Sequence, residues 1–167
     1  MSTQHFLSNA QAQPPVLLVA PLSGHFATLL RETVRTLLQD HDVYITDWHN
    51  ARDIGLWHGG FGLDDYIDYL MQFMRAIGPG VHMVAVCQPC VPTLAAVALM
   101  AQRNHPAQPR SMTLMAGPVD CRINPTAVNT LATSKPMSWF ECLAEVELKQ
   151  GLFIRKLTKL GLPKRLV

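Results

Sequence analysis

The chain has 167 residues, of which 49% are hydrophobic and 16% charged, and its formal net charge is +2. This length and composition predict one globular domain with a real core and exclude a disordered chain. The small net charge gives no reason to expect nucleic-acid binding. No apolar run approaches the ~20 residues that a membrane-spanning helix needs. The first 13 residues lack the cationic start and apolar stretch of a secretory signal.

The cysteines and the charge distribution add two further expectations. Cysteines at positions 87, 90, 121 and 142 do not form the spacing pattern of a disulfide framework, so a reducing, cytoplasmic setting is the simplest interpretation. The basic excess belongs to the C-terminal tail, which has no acidic residue after Gln150. This tail is interpreted as a solvated end or, alternatively, as a basic amphipathic helix that meets a lipid-like surface.

Hydrophobic periodicity predicts alternating strands and helices between residues 14 and 125. Residues 1–13 are polar and are predicted to be a flexible N-terminus. The predicted strands are residues 16–20, 43–46, 81–86 and 111–115, and the predicted helices are residues 28–39, 63–77 and 92–102. Right-handed crossovers between these units give an α/β fold, a parallel sheet with helices on both faces. Residues 126–167 follow this domain with a weaker pattern.

Cys87 is the most informative residue, because it separates the strand at 81–86 from the helix that follows. A nucleophile elbow places its reactive side chain at such a strand-to-helix turn. The usual glycines on either side are replaced by Ala85 and Pro89. The small Ala85 and a proline in the first helical turn are both compatible with the turn. The unpaired N–H groups of the helix start favour a thiolate, which is the nucleophilic form.

The loop after the first predicted strand, residues 21–25, is the second candidate element. Its backbone N–H groups at Leu22, Ser23 and Gly24 are candidates to hold an oxyanion together with the N–H of Gln88. His25 is a candidate for substrate contact. The alternative is a simple glycine turn in which Ser23 caps the next helix.

The pair Cys87 and Cys90 also forms a Cys-x-x-Cys after a strand, as in a thiol–disulfide oxidoreductase. Against this alternative, the repeated parallel units extend further than a small dithiol domain needs. Zinc binding would require a second close pair of ligands, and Cys121 and Cys142 stand alone.

A dense set of short motifs lies between Pro14 and Glu141. They are VAPLSGHFATLLR at 19–31, YITDW at 44–48 with Ala51-Arg52, VCQP at 86–89 with PTLAA at 92–96, GPVD at 117–120 and NPTAVN at 124–129. This set resembles the intracellular polyhydroxyalkanoate (polyhydroxybutyrate) depolymerases. The resemblance implies a partial α/β-hydrolase core at residues 14–125. It implies ester hydrolysis by a Cys-His-Asp triad in which Cys87 replaces the usual serine.

The resemblance also implies the polyhydroxyalkanoate polymer or granule surface as partner, a cytoplasmic location at the storage granule, and no metal or organic cofactor. The family places its acid and histidine far downstream of the elbow, beyond a cap insertion, whereas no histidine follows His105 here. A chain truncated at both ends is therefore expected. Residues 126–167 would be the start of the cap or insert region and a divergent basic tail, and little hydrolysis would occur without the missing residues.

Two further expectations concern this departure from the family pattern. Asp120 follows the last predicted strand, where some hydrolases place their acid, but capping of the segment that begins at Thr126 is the favoured interpretation. His49, His58, His82 and His105 are not expected to be catalytic bases. A non-catalytic granule-binding fragment is the third class of function that the sequence leaves open.

Overall fold

The computed structural model describes residues 2–6, 13–22, 27–49 and 54–148. The chain divides into two compact units, Met1–Val119 and Asp120–Val167. Each unit is described separately below. No helix of the described part of the chain is long and apolar enough to cross a bilayer.

The first unit is built on a five-stranded sheet with the strand order β1-β3-β2-β4-β5. The strands from β2 to β5 run parallel, and β1 runs antiparallel to β3. This arrangement confirms the predicted parallel sheet, and each of the four parallel strands lies within one residue of its expected bounds. The strands are β1 (Ser2–Phe6), β2 (Pro15–Val19), β3 (Asp42–Asp47), β4 (His82–Val86) and β5 (Ser111–Met115).

Three helices connect the parallel strands. A 3-10 turn at Ala27–Leu30 leads into α1 (Arg31–Leu37), and α2 (Leu63–Ile77) and α3 (Cys90–Gln102) follow. The chain moves from β2 to β3 on one side and then returns to β4 on the other side of β2. Right-handed crossovers therefore place α1 on one face of the sheet and α2 and α3 on the opposite face. The contact between α2 and α3 agrees with this assignment.

The N-terminal segment differs from the expectation of a flexible end. Residues 2–6 form β1, which pairs in register from Ser2 opposite Asp47 to Phe6 opposite Val43. The pairing gives the outer edge of β3 backbone hydrogen-bond partners, which an edge strand otherwise lacks. Such pairing depends on the backbone rather than on an apolar pattern, so the polar composition of the segment did not indicate it.

The core lies on both faces of β2, whose residues from Val16 to Val19 are buried. This is the burial expected of a continuous apolar run in a central strand. Helix α2 closes one face with Tyr66, Ile67, Leu70, Met71 and Met74. Its start is stabilised because Asp65 Oδ2 accepts the Gly62 N–H at 2.7 Å, and Gly78 ends it with a φ of +104°.

The second unit contains α4 (Ala127–Ser134) and α5 (Met137–Leu148). Thr126 caps α4, since its Oγ1 accepts the Asn129 N–H at 3.3 Å and the Asn129 carboxamide accepts the Thr126 N–H at 3.0 Å. The predicted capping of this segment by Asp120 is wrong, because Thr126 caps the helix reciprocally with Asn129. The basic tail at 156–167 lies outside the described residues.

Candidate active site

The reversal of strand order creates a crevice at the carboxyl ends of β2 and β4. Val19 pairs with Ala85 at the last position of their ladder, so the segments that follow both strands begin side by side. The segment after β2 continues toward α1 and the segment after β4 continues into α3, on opposite faces of the sheet. Open α/β sheets bind ligands at such a switch point. At this switch point Leu22, after β2, lies within hydrogen-bond distance of the side chain of Gln88, after β4.

Cys87 occupies the turn between β4 and α3 with a φ of +68°. A side chain with a Cβ seldom adopts this left-handed conformation, which costs about 1–2 kcal/mol. Such strain is expected where a sharp turn must present one side chain, as in a nucleophile elbow. The Cys87 side chain is exposed, and the Cys90 N–H closes the turn by donating to the Cys87 carbonyl at 3.1 Å. The geometry is that of an elbow despite the missing flanking glycines.

The end of β5 supports the elbow through a backbone hydrogen bond and a close backbone contact. The Cys87 N–H donates to the Met115 carbonyl at 2.8 Å, which extends the β4–β5 ladder into the turn. Gly117 then passes so close that a Cβ at this position would overlap the side chain of Cys90 and lie 3.0 Å from the Cys87 carbonyl oxygen. Only glycine at position 117 allows the backbone after β5 to come this close to the elbow. The sequence analysis noted Gly117 as part of a motif but had no signal for this contact.

Leu22 is brought to the elbow by the side chain of Gln88. The Leu22 N–H donates to Gln88 Oε1 at 3.1 Å, across 66 residues of sequence. The backbone N–H of Gln88 makes no hydrogen bond to any of the described residues. Two of the four predicted oxyanion donors, Leu22 and Gln88, are therefore neighbours beside Cys87. An incoming carbonyl oxygen would have to replace the Gln88 carboxamide at the Leu22 N–H.

The remaining predicted residues of this loop are Ser23, Gly24 and His25. All three lie outside the described residues. Their predicted roles in the oxyanion loop and in substrate contact stay predictions.

Cys90 is placed very differently from Cys87. It is fully buried, and its Sγ lies 3.4 Å from the Ala85 carbonyl oxygen and 3.6 Å from that of Met115. Burial raises the pKa of the Cys90 thiol, which keeps it protonated. A protonated, buried thiol is inert as a nucleophile. Cys90 thus packs beneath the elbow, while Cys87 faces the crevice.

Within the described part of the chain, no hydrogen bond joins a histidine side chain to Cys87. Its Sγ makes no hydrogen bond to a described residue. His82 begins β4, at the opposite end of the strand from Cys87, and its Nδ1 lies 2.7 Å from Ser111 Oγ. His105 follows α3, and its Nε2 accepts the Arg75 Nε–H at 2.9 Å. His49 and His58 are exposed.

Asp120 is held by a neighbour in sequence. Both of its carboxylate oxygens accept hydrogen bonds from the Arg122 guanidinium, each at 2.8 Å. These bonds lower the pKa of Asp120, which favours the ionised form. Among the described residues no group of three or more His, Cys, Asp or Glu side chains could hold a metal ion.

A cluster of aromatic side chains lies between the end of β3 and α2. Trp48 is buried and packs edge-on against Tyr66, with ring centroids 4.6 Å apart, and Phe61 and Phe73 lie around it. The Tyr66 hydroxyl is buried and has no hydrogen-bond partner among the described residues. Burial raises its pKa above the ordinary value of 10.0.

Replacement of Tyr66 by phenylalanine is therefore expected to raise the free energy of unfolding by about 1 kcal/mol, because it removes a buried polar group without a partner. Ionisation of a buried tyrosine opposes folding, so the free energy of unfolding of the unaltered protein falls as the pH rises above about 10. The phenylalanine variant has no hydroxyl to ionise at this position and should not show this fall. Urea denaturation at pH 7 and pH 10.5 measures both effects. A less stable variant at pH 7 would contradict the expectation.

Comparisons with known proteins support the fold. Neither a protein-family model nor a curated protein matches the chain in sequence. Among solved structures, a carboxylesterase of Nitrososphaera gargenis is similar with a TM-score of 0.56 and 17% identity, covering 89% of this chain and 50% of that protein. An N-formylmaleamic acid deformylase of Pseudomonas putida is similar with a TM-score of 0.53 and 17% identity, covering 71% of this chain and 43% of that protein.

The chain thus spans about half the length of the solved structures that it matches. Together with the parallel sheet, the similarity establishes a partial α/β-hydrolase core, as the resemblance implied. At 17% identity it carries the fold alone, and the depolymerase family receives no separate support from the comparisons.

Proposed function

We infer that this chain carries the nucleophile and the oxyanion donors of an ester hydrolase, and that the enzyme is a polyhydroxyalkanoate depolymerase. The single observation that supports ester cleavage best is the conformation of Cys87, exposed at the switch point with a φ of +68°. A strained turn with an exposed thiol has no value for packing. It is useful where a sulfur must be presented to a substrate from a rigid sheet.

In the proposed reaction the Cys87 thiolate attacks the ester carbonyl carbon and forms a C–S bond. The carbonyl oxygen carries the negative charge of the tetrahedral intermediate and accepts hydrogen bonds from the N–H groups of Gln88 and Leu22. The intermediate collapses with cleavage of the C–O bond, and the departing alkoxide takes up a proton. Water then cleaves the thioester, with assistance from a base that the described residues do not identify.

The proposed substrate is the polyester of 3-hydroxyalkanoates, and the partner is the granule surface in the cytoplasm. The motif resemblance supports this choice. A second support is the set of exposed apolar side chains before and at the start of α2: Trp57, with 86% of its surface exposed, Ile54, Phe61 and Leu63. Exposed apolar groups of this kind are typical of surfaces that meet an apolar partner.

The test uses 4-nitrophenyl 3-hydroxybutyrate and measures acylation rather than turnover. Release of 4-nitrophenolate should be accompanied by one acyl group on the protein, located at Cys87 by peptide mass spectrometry. Cys87→Ala should lower the acylation rate by roughly 10³-fold or more. Cys90→Ala is the matched control and should retain acylation, because the buried thiol does not meet the ester.

Four outcomes decide between the functions. Acylation of Cys87 with release of hydroxybutyrate oligomers from polymer supports the depolymerase, and acylation by short esters alone supports only a general esterase. Granule binding without any acylation would favour a non-catalytic binding module. If Cys87→Ala and Cys90→Ala instead remove dithiol reductase activity equally, the ester-cleaving function is wrong and the oxidoreductase is right.

A further inference from the structure

The peptide groups around Ala20 are held by side chains where the sheet ends. The ladder of β2 runs as far as Leu18 on the β3 side and Val19 on the β4 side. Ala20 lies just beyond it and is fully buried. A buried peptide N–H or carbonyl without a partner is costly, so this residue needs partners from outside the ladder.

Two side chains at the end of β3 supply both partners. Thr46 Oγ1 accepts the Ala20 N–H at 2.9 Å, and Trp48 Nε1 donates to the Ala20 carbonyl at 2.9 Å. Thr46 and Trp48 are themselves buried, with 1% and 4% of their surfaces exposed. We refer to these two residues as the Ala20 clamp. Because bonds of this kind are short and shielded from water, the clamp fixes both peptide groups of Ala20.

The clamp is in turn held by the aromatic cluster. Tyr66 and Phe61 pack against the Trp48 ring, with centroids 4.6 Å and 6.1 Å from its own, and Phe73 lies further along the ring. These contacts restrict the orientation of the indole and hence the position of its N–H. Other donors could also satisfy the Ala20 carbonyl. Because three aromatic neighbours hold the Trp48 ring, however, its N–H is fixed in one position relative to this carbonyl.

Leu22 lies two residues after Ala20 in the chain, and its N–H donates to Oε1 of Gln88, the residue next to Cys87, at 3.1 Å. We propose that Thr46 and Trp48 are positioning residues for ester cleavage, which hold the Leu22 N–H at the Cys87 elbow by fixing the Ala20 peptide. This inference rests on the proposed function, because the Leu22 N–H matters only if an oxyanion forms at the elbow. A displacement of about 1 Å at such a donor is enough to slow a reaction by about 10²-fold.

The experiment compares Thr46→Val and Trp48→Phe with the unaltered protein. Valine keeps the shape of threonine but has no acceptor, and phenylalanine keeps an aromatic ring but has no N–H. The limiting rate of acylation by 4-nitrophenyl 3-hydroxybutyrate should fall about 10-fold to 100-fold in each variant. The ester concentration that gives half the limiting rate should change less than twofold, since an oxyanion donor acts mainly in the transition state.

Three readouts separate a positioning role from a merely structural one. Alkylation of Cys87 by iodoacetamide needs no oxyanion donor and should keep its rate in both variants. Thr46→Ser restores the hydroxyl and should recover most of the acylation rate. Hydrogen exchange of the peptide that contains residues 20–22 should become faster in Thr46→Val.

Thr36→Val is the matched control, because it removes a threonine hydroxyl at an exposed position of α1, where Oγ1 donates to the Glu32 carbonyl at 3.0 Å. It should leave acylation unchanged. The inference is overturned if both clamp variants acylate at the normal rate, or if acylation and alkylation fall together. Should Thr46→Val not fold, Trp48→Phe decides by the same criteria.

If the unaltered protein is not acylated at Cys87 at all, the proposed ester cleavage is wrong. That result differs from normal acylation in the variants, which would overturn only the role of Thr46 and Trp48.

Discussion

Replacing Cys87 with glycine should abolish acylation and at the same time stabilise the protein. Glycine adopts a φ of +68° without the steric cost that any Cβ incurs. Part of that gain is offset because glycine increases the conformational entropy of the unfolded chain. The expected net change is a rise in the free energy of unfolding of about 0.5–1 kcal/mol, with a loss of acylation of roughly 10³-fold or more.

The matched variant is Cys87→Ala, which also lacks the sulfur but keeps the Cβ. It should be as inactive as the glycine variant and less stable, so that the difference between the two isolates the backbone strain. Ala116 has a φ of +53° and offers a second comparison, because Ala116→Gly should be stabilising while Cys87 remains in place. Urea denaturation measures the stabilities. A glycine variant that is less stable than the alanine variant by about 0.5–1 kcal/mol, the entropy cost of glycine alone, would mean that the turn stores no strain.

Gly117→Ala should have the largest effect on the fold of the site. The added methyl group would overlap the Cys90 side chain, and Cys90 is fully buried and cannot move aside freely. Overpacking of this kind typically costs about 1–3 kcal/mol of the free energy of unfolding. Because the same methyl group would lie 3.0 Å from the Cys87 carbonyl oxygen, the elbow should shift as well. We expect acylation to slow by about 10-fold or more.

Gly60→Ala is the control for the general cost of replacing a glycine, since a Cβ at that position would meet nothing within 4 Å. It should be close to neutral in stability and acylation. Cys90→Ala removes the sulfur from the clash and should partly relieve Gly117→Ala. A double-mutant cycle of Gly117 and Cys90 should therefore give a coupling energy above about 0.5 kcal/mol. Equal stabilities of Gly117→Ala and Gly60→Ala would contradict the close approach of Gly117 to Cys90.

Both predictions concern contacts that local sequence patterns did not reveal. The elements themselves were predictable, because a buried strand and an amphipathic helix each leave a short-range pattern of apolar residues. Residues 63–77 and 111–115 were predicted to their final bounds. Helix α3 begins two residues earlier than expected, at Cys90, because Pro92 lies in the first turn, where no N–H is needed. The segment at 2–6 was missed, since edge pairing leaves no apolar pattern.

The candidate site likewise combines features that the sequence predicted with features that it did not. Cys87 could be found from sequence because a strand, a turn and a helix follow one another along the chain. Its conformation, the inward orientation of Cys90 and the approach of Gly117 could not, because they depend on how β5 packs beside the elbow. The same holds for Gln88, whose side chain bonds to a residue 66 positions away.

By itself the sequence determined the succession of strands and helices, the turn that carries Cys87 and the loop that begins at Leu22. These features depend on residues close together in the chain. Only the tertiary structure decided that β2 lies between β3 and β4, that Leu22 bonds to Gln88 across this switch point, and that Thr46 and Trp48 hold the Ala20 peptide. The physical reason is that strand order and register arise from packing between distant segments, which no local pattern of residues encodes.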